Sequence, residues 1–568
     1  MRYLALACDY DGTLAWDGQI AASTVAALLA LRDSGRKTLL VTGRELADLM
    51  TLLPDLDLFD RIVAENGAML YRPASKEERV LADPPPDTLV AELIRRRVAP
   101  LSVGRVIVAT CEPHETVVLD VIRELGLERQ VIFNKGAVMI LPSGMNKATG
   151  LAAALDELGL SPHNCVAIGD AENDHAFLGR AECGVAVANG LLSLKKAADL
   201  VTNGDHGAGV RELIERILAS DLVELGPRLS RHAIPLGSRE NGSTVDWPPY
   251  GKNLLVTGAS GSGKSTFATG LLERLAERGY QYCLIDPEGD YVSLPGAVVL
   301  GDAERPPTVA EMLDVLKTPA QSVVVNLLGI ALDQRPEFFA GALTRLEELR
   351  VKTGRPHWIV ADEAHHLMPE PWSGAPPGAP RAVESMLLIT VHPGQVAAPV
   401  LAAVDGVVAV GPTPGPIIQE FAEATGQVAP ALAPTAAESG EVLLWLPADG
   451  GELERIRTIP SQSERRRHVR KYSAGELTEE QSFYFRGPEG KLKIRAQNLA
   501  LFLQLGEGVD EETWLHHFRL GEYSAWFRRR IKDADLADEV AAIERRGNVS
   551  AEDGRALVRA AVAKRYTV

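Results

Sequence analysis

Two clusters of residues in this 568-residue chain have the types and spacing that handling phosphate requires. The first begins with Asp9-Tyr10-Asp11-Gly12-Thr13-Leu14, directly after the apolar run Tyr3–Ala7. Two carboxylates two residues apart at the carboxyl end of a strand stand in the crevice where open α/β sheets bind ligands. Gly12 permits a tight turn immediately after them. Three further segments supply a hydroxyl, an ammonium and more carboxylates: Thr42-Gly43-Arg44 closes a second apolar run, Lys147 opens a helical stretch, and Gly169-Asp170-Ala171-Glu172-Asn173-Asp174 follows the run Cys165–Ile168. The second cluster is Gly258-Ala-Ser260-Gly261-Ser-Gly263-Lys264-Ser265-Thr266, between the run Asn253–Thr257 and the helical pattern Phe267–Glu277. Its glycines let backbone N–H groups face phosphates at a helix N-terminus. Lys264 is suited to the β/γ-phosphates of a nucleotide and Ser265 to Mg²⁺. Downstream, the run His357–Ala361 ends in Asp362-Glu363, an acidic pair placed to hold Mg²⁺ through water and to polarise an attacking water.

The elements that must position these residues read as two α/β blocks and a helical tail. In the first block the strand-like runs are Tyr3–Ala7, Thr38–Val41, Val106–Ala109, Cys165–Ile168 and Val185–Ala188, with helical patterns such as Ser23–Ser34 and Lys147–Leu158 between them. That alternation predicts a parallel sheet. Residues 221–250, rich in Pro and Gly with little periodicity, read as a linker. A second strand–helix alternation covers 251–460, broken by a Pro- and Gly-rich loop at Trp372–Pro380. Residues 465–568 read as mainly helical, with Asp510 as one cap and Ser550-Ala-Glu-Asp553 as a capping box.

The first set of motifs resembles the haloacid dehalogenase (HAD) phosphohydrolases, with Asp9-x-Asp11-x-Thr13 as the nucleophile motif. The resemblance implies that Asp9 attacks phosphorus and forms an aspartyl-phosphate, while Asp11 protonates the leaving group and then activates water. It implies that Thr42 binds phosphoryl oxygens and Lys147 neutralises their charge. It also implies Mg²⁺ on Asp9, the Asp11 carbonyl and Asp170, completed or oriented by Asp174. Glu65-Asn66-Gly67-Ala68 resembles the Cof-type (IIB) branch, which implies a cap module, here at about 70–141, inside a HAD-like domain at 1–220. The second set resembles the HerA/FtsK-type (DUF87-like) P-loop ATPases, through Gly258–Thr266, Ile285–Tyr291, Asp362-Glu363 and Thr390 at a sensor position. This chain carries Val391 and His392 where that family often has Gln or Arg. The resemblance implies ATP as ligand and a homo-oligomer, in that family often a hexamer.

Composition bounds these readings. The net charge of −17 argues against a protein coated in basic surface for nucleic acid. The C-terminal stretch is the exception, with 20 Lys/Arg against 16 Asp/Glu from Arg465 to Val568. Basic clusters at Arg465–Arg467 and Arg528–Arg530 lie among aromatics, a pattern that either binds single-stranded nucleic acid or marks a small helical domain with an aromatic core. The five cysteines form no Cys-x-x-Cys pair, which suits a reducing cytoplasm. No run approaches the ~20 apolar residues of a membrane helix. His365-His366 lacks a third ligand at helical spacing and reads as packing. The leading expectation is a bifunctional Mg²⁺-dependent phosphatase for a small phosphorylated metabolite or nucleotide, coupled to or regulated by the ATPase. The alternatives are a nucleic-acid-associated ATPase with a phosphatase effector domain, and a module that uses ATP binding as an assembly switch.

Overall fold

The computed structural model describes residues 1–259, 261–370, 383–412, 414–430, 438, 440–447, 451, 453–462, 477, 482–531, 533–546 and 549–564. Ser260, the Trp372–Pro380 loop and Arg465–Arg467 lie outside the described residues. The chain divides into a large unit, 1–292 with 296–459, and a small one, 293–295 with 460–568.

The large unit holds two sheets. The first has eight strands: β1 (Ala5–Cys8), β2 (Lys37–Val41), β3 (Arg61–Ala64), β4 (Met69–Arg72), β5 (Glu77–Val80), and then, after an insertion, the strands Cys165–Gly169, Cys183–Ala186 and Leu200–Val201. The insertion carries β6 (Ser102–Val103), β7 (Val108–Cys111), β8 (Arg129–Asn134) and β9 (Ala137–Pro142), so the three later strands are β10, β11 and β12. The order is β12-β11-β10-β1-β2-β3-β4-β5, parallel from β12 to β3. Strand β1 is buried on both faces: Leu6 and Cys8 enter one core, Ala5 and Ala7 the other. This is why its sequence is a continuous apolar run. β1 and β10 pair in register, Cys8 opposite Ile168, so Asp9 and Asp170 leave the sheet side by side.

The cap departs from its expected bounds. Met69–Arg72 pairs antiparallel with β3 and Glu77–Val80 antiparallel with Met69–Arg72, so both belong to the main sheet. The cap proper comprises the helices Asp87–Arg95 and Glu115–Glu124 over the antiparallel sheet β6-β7-β9-β8, with its own apolar core around Leu89, Val118 and Ile140. A hairpin that continues the main sheet and one that opens a cap have the same local pattern, and only pairing separates them.

The second sheet has eleven strands. Its first two, β13 (Ile234–Ser238) and β14 (Thr244–Trp247), fall within the stretch read as a linker. There Ile234, Leu236, Val245 and Trp247 alternate inward and are buried, a period of two that Pro235 and Gly237 disguise in the sequence. Next come β15 (Leu254–Thr257), β16 (Tyr282–Asp286), β17 (Ala297–Leu300), β18 (Ser322–Asn326), β19 (Trp358–Ala361), β20 (Met386–Thr390), β21 (Gly406–Val410), β22 (Glu441–Trp445) and β23 (Leu453–Thr458). The order is β14-β13-β23-β22-β21-β15-β20-β19-β16-β18-β17, parallel from β21 to β17 and antiparallel on the other side.

The small unit is mainly helical, with a two-stranded ribbon of Phe483–Phe485 and Ile494–Ala496. Asn498, Asp510, Asp533 and Ser550 each cap a helix through the side chain. Phe483, Phe485, Phe502, Trp514, Tyr523 and Trp526 are buried together. These rings are core, which favours the second reading of the aromatic–basic pattern. Among the described residues, no helix is long and apolar enough to cross a membrane.

Trp247 is 2% exposed and packs where Gly406 leaves room, since a Cβ there would lie 2.5 Å from the indole. Trp247→Ala is therefore expected to cost ~3–5 kcal/mol. Thermal unfolding of the full chain checks this, with a clear drop in the first midpoint. Leu192→Ala, at a position 76% exposed, should leave that midpoint in place.

Candidate active sites

In the first site, strand ends and one helix start converge. Asp9 follows β1, Thr42 follows β2, Asp170 follows β10, and Lys147 is the first residue of the helix Lys147–Glu157. Lys147 Nζ donates to Asp9 Oδ1 and to Asp174 Oδ1, each at 2.6 Å, with all three side chains buried. The other oxygen of Asp174 accepts from the N–H groups of Asp170 at 2.8 Å and Ala171 at 2.9 Å. Asp174 thus fixes the turn that presents Asp170. Thr13 Oγ1 donates to Asp170 Oδ1 at 3.1 Å. Asp11 is half exposed and gripped by Arg44, Nε to Oδ2 at 2.7 Å and Nη2 to Oδ1 at 2.8 Å. Thr42 is buried, and its Oγ1 accepts from the Arg44 N–H at 3.1 Å, leaving its own proton to donate.

The electrostatics favour a cation here. Burial, and next the Asp174 carboxylate, push Asp9 up to about 8 despite the pull of Lys147. Ligand oxygens of Asp9, Asp170 and Asp174 all lie within 4.8 Å of one another. Hard carboxylate oxygens at this density fit Mg²⁺.

One contributor has no motif that marks it, and others have pairings that local sequence does not show. Lys135, in the turn between β8 and β9, donates from Nζ to Asp170 Oδ2 at 2.6 Å and to the Asp11 carbonyl at 3.0 Å. Glu65, with φ of 50°, turns its carboxylate away from the catalytic cluster to accept three cap amides: Arg105 at 2.9 Å, Val106 at 2.8 Å and Ile107 at 3.0 Å. Asn66 Oδ1 accepts from Asn173 Nδ2 at 2.9 Å. The sequence motifs mark the segments of Arg44, Glu65 and Asn66 but not their partners; Lys135 carries no signal beyond a turn.

In the second site, the loop after β15 turns through Gly261 and Gly263, with φ of 74° and 105°, into the helix Lys264–Glu277 that begins with Lys264, Ser265 and Thr266. Gly258 has to be glycine, because a Cβ there would lie 2.3 Å from the Val410 carbonyl. Lys264 Nζ donates to the Ala259 carbonyl at 3.1 Å. Asp362 and Glu363 follow β19, and Asp286, at the end of the neighbouring β16, binds the amides of Gly289, Asp290 and Tyr291. Burial, and next Asp286, push Asp362 well up; burial lowers Lys264. A phosphate beside the lysine and a divalent cation beside the acids would reverse both shifts. Thr390 ends β20 opposite Thr257, and its hydroxyl meets His365 Nδ1 at 3.0 Å. His365 packs close to His366, with centroids 4.1 Å apart.

The two domains meet through a polar junction inside the large unit. His163, just ahead of β10, places Nδ1 2.7 Å from Glu182 Oε2 and Nε2 2.7 Å from the Arg278 carbonyl. Arg278 is the C-cap of the helix that Lys264 begins. Glu182 also receives Arg2 and the Tyr280 hydroxyl, the latter at 3.0 Å. Burial opposes its ionisation, but His163 and Arg2 outweigh that and hold the carboxyl at about 2. Nearby, Arg355 Nη2 donates to the Gly159 carbonyl at 2.7 Å.

Fold and sites together define a phosphoryl-transfer α/β domain joined to a nucleotide-binding α/β domain. Residues 6–96 and 105–214 match the haloacid dehalogenase-like hydrolase family, and 250–345 match the central domain of helicase HerA. Phosphoglycolate phosphatase of Methanothermobacter thermautotrophicus is 30% identical over 223 residues, 38% of this chain and 98% of that protein. Phosphoglycolate phosphatase 2 of Saccharolobus solfataricus is 29% identical over 224 residues, 38% of this chain and 94% of that protein. A solved haloacid dehalogenase-like hydrolase from Bacteroides thetaiotaomicron is 22% identical and covers 38% of this chain and 99% of its own, with a TM-score of 0.33. The chain belongs to the haloacid dehalogenase-like hydrolases, and it carries a HerA-type ATPase domain behind the hydrolase domain.

Glu65→Gln would keep one oxygen for the Val106 and Ile107 amides but set an NH₂ group against the Arg105 N–H, a loss of ~1–3 kcal/mol where Glu65 ties the cap. Hydrogen exchange read by mass spectrometry is expected to speed up at Arg105–Ile107 while the β1 and β10 amides stay protected.

Proposed function

We propose that this protein is a Mg²⁺-dependent phosphatase for a small phosphorylated metabolite or nucleotide, regulated by ATP at its second domain. The observation that carries the first half is Lys147 bridging Asp9 and Asp174 at 2.6 Å beside Asp170. In this reading an Asp9 oxygen attacks phosphorus in line as the bond to the leaving oxygen breaks. Asp11, once its carboxyl is released by Arg44, gives that oxygen its proton, then takes one from the water that hydrolyses the aspartyl-phosphate. Thr42 donates to a phosphoryl oxygen and Lys147 neutralises the developing charge. Mg²⁺, held by Asp9, Asp170 and the Asp11 carbonyl, would add Lewis-acid stabilisation. Short phosphorylated acids are the leading substrates, because the relatives are named for phosphoglycolate. In the second domain Gly258, Gly261, Gly263 and Thr266 cradle ATP with Ser260, Lys264 and Ser265, while Asp362 and Glu363 serve the metal and the attacking water.

Regulation is supported by the junction. The helix that starts at the phosphate loop ends at Arg278, whose carbonyl is bound by His163, and His163 leads into the strand that ends at Asp170. The match to HerA favours a second reading, a nucleic-acid-associated homo-oligomer, such as a hexamer, whose phosphatase acts on nucleic-acid ends or nucleotides.

Asp9→Asn is expected to abolish phosphate release from monoesters and spare ATP hydrolysis; Lys264→Ala should abolish ATP hydrolysis and spare monoester turnover. A non-hydrolysable ATP analogue should change monoester kcat/KM at least threefold in the wild type and far less in His163→Ala, with nucleotide affinity retained. An unchanged ratio in the wild type rules out regulation but not the two activities. ATP hydrolysis stimulated by DNA in a salt-dependent way, in a hexamer seen by light scattering, would move the assignment to the second reading.

A further inference from the structure

Lys135 sits at the first central position of a two-residue turn. Asn134 pairs with Ala137, and Lys135 and Gly136 take φ of 48° and 81°. Both central residues of such a turn need positive φ, which Asn-Gly meets most easily. A lysine there accepts a backbone conformation that L side chains disfavour. What it gains is reach. Its Nζ leaves the cap and lands on two oxygens of the phosphatase site, Asp170 Oδ2 and the Asp11 carbonyl. The side chain remains half exposed at the mouth of the site, and the residue's own N–H lies 3.4 Å from Glu172 Oε2.

Those two oxygens are the ones the phosphatase reading assigns to Mg²⁺. Mg²⁺ binds oxygen at ~2.0–2.1 Å, so an ion on either oxygen would stand within a few Å of the ammonium, with like charge. The two cations exclude one another. Displaced from Asp170, the ammonium stays tethered at the pocket mouth. The nearby acid Asp11 is already committed to Arg44 through two hydrogen bonds. A substrate whose phosphate enters toward Asp9 and carries a second anionic group a few atoms away would meet Lys135 there.

We propose that Lys135 is the specificity-determining residue of the cap: it holds the cation position until the metal binds, then recognises a second anionic group on a short phosphorylated acid. This rests on the phosphatase reading of the first domain.

The test uses the full chain with Lys135→Gln and Lys135→Arg. Mg²⁺ binding is measured by calorimetry without substrate, and kcat and KM with 2-phosphoglycolate and with p-nitrophenyl phosphate. Lys135→Gln should bind Mg²⁺ at least threefold more tightly. Its kcat/KM ratio for phosphoglycolate over the nitrophenyl ester should fall at least tenfold, mainly through KM, and Lys135→Arg should recover most of that ratio. An unchanged Mg²⁺ affinity or an unchanged ratio in Lys135→Gln overturns the proposal. A wild type that hydrolyses neither ester overturns the phosphatase reading and this proposal with it.

Discussion

Three carboxylates, Asp9, Asp170 and Asp174, are buried within 4.8 Å of one another, and the architecture of the first domain follows from having to keep them there. Their repulsion has to be met by cations and N–H donors, because an uncompensated buried charge costs several kcal/mol. Lys147 meets part of it, and its position depends on close backbone packing. Gly67 has φ of 108°, and a Cβ there would fall 1.9 Å from the Asn146 carbonyl; a Cβ on Gly150 would strike Val63 and Gly67. The helix start can therefore press against the β3–β4 turn, with Asn146 capping it through the amides of Ala148 and Thr149. Asp174 spends one oxygen on Lys147 and the other on the turn that presents Asp170, so removing either partner would loosen the whole cluster.

The residues legible in the sequence are those at strand ends, where an apolar run stops at a polar cluster: Asp9, Thr42, Asp170, Gly258–Thr266 and Asp362. In each case local sequence states the element and the polar residue that follows it. What escapes such reading depends on contacts between distant segments. Lys135 acts 124 residues from Asp11. Glu65 belongs to a recognisable motif, yet its partners are amides of Arg105–Ile107, so its tie to the cap is invisible locally. The hairpin Ile234–Trp247 is hidden for another reason. Pro235 and Gly237 lower strand propensity, but a position near the sheet edge tolerates both, and burial of Trp247 against Gly406 overrides propensity.

The second domain solves a similar electrostatic problem differently. Asp286 and Asp362 end adjacent strands, and Asp286 turns inward to tie the Gly289–Tyr291 loop by three amides. Among the described residues Asp362 has no comparable set of donors, and burial together with Asp286 raises it well above the ordinary carboxylate range. One acid is thus tied to the backbone, and the other stands where a divalent cation would offset its burial, an asymmetry found among functional carboxylates.

The junction between the domains is a buried polar network rather than an apolar contact face. Glu182 is fully buried, and His163, Arg2 and Tyr280 converge on it. An apolar patch can slide with small losses, because dispersion is spread over many contacts. A buried carboxylate cannot: losing one donor leaves charge uncompensated in low dielectric, so intermediate positions are disfavoured. A displacement of the helix Lys264–Glu277 along its axis must either break the Arg278–His163 bond or carry the His163 turn with it. Glu182 holds the other side of the same imidazole, so keeping both bonds requires Glu182 to move with the turn. That turn opens directly into β10, and Asp170 follows its far end, so in the regulated reading one helix and one strand would link the phosphate loop to the first active site.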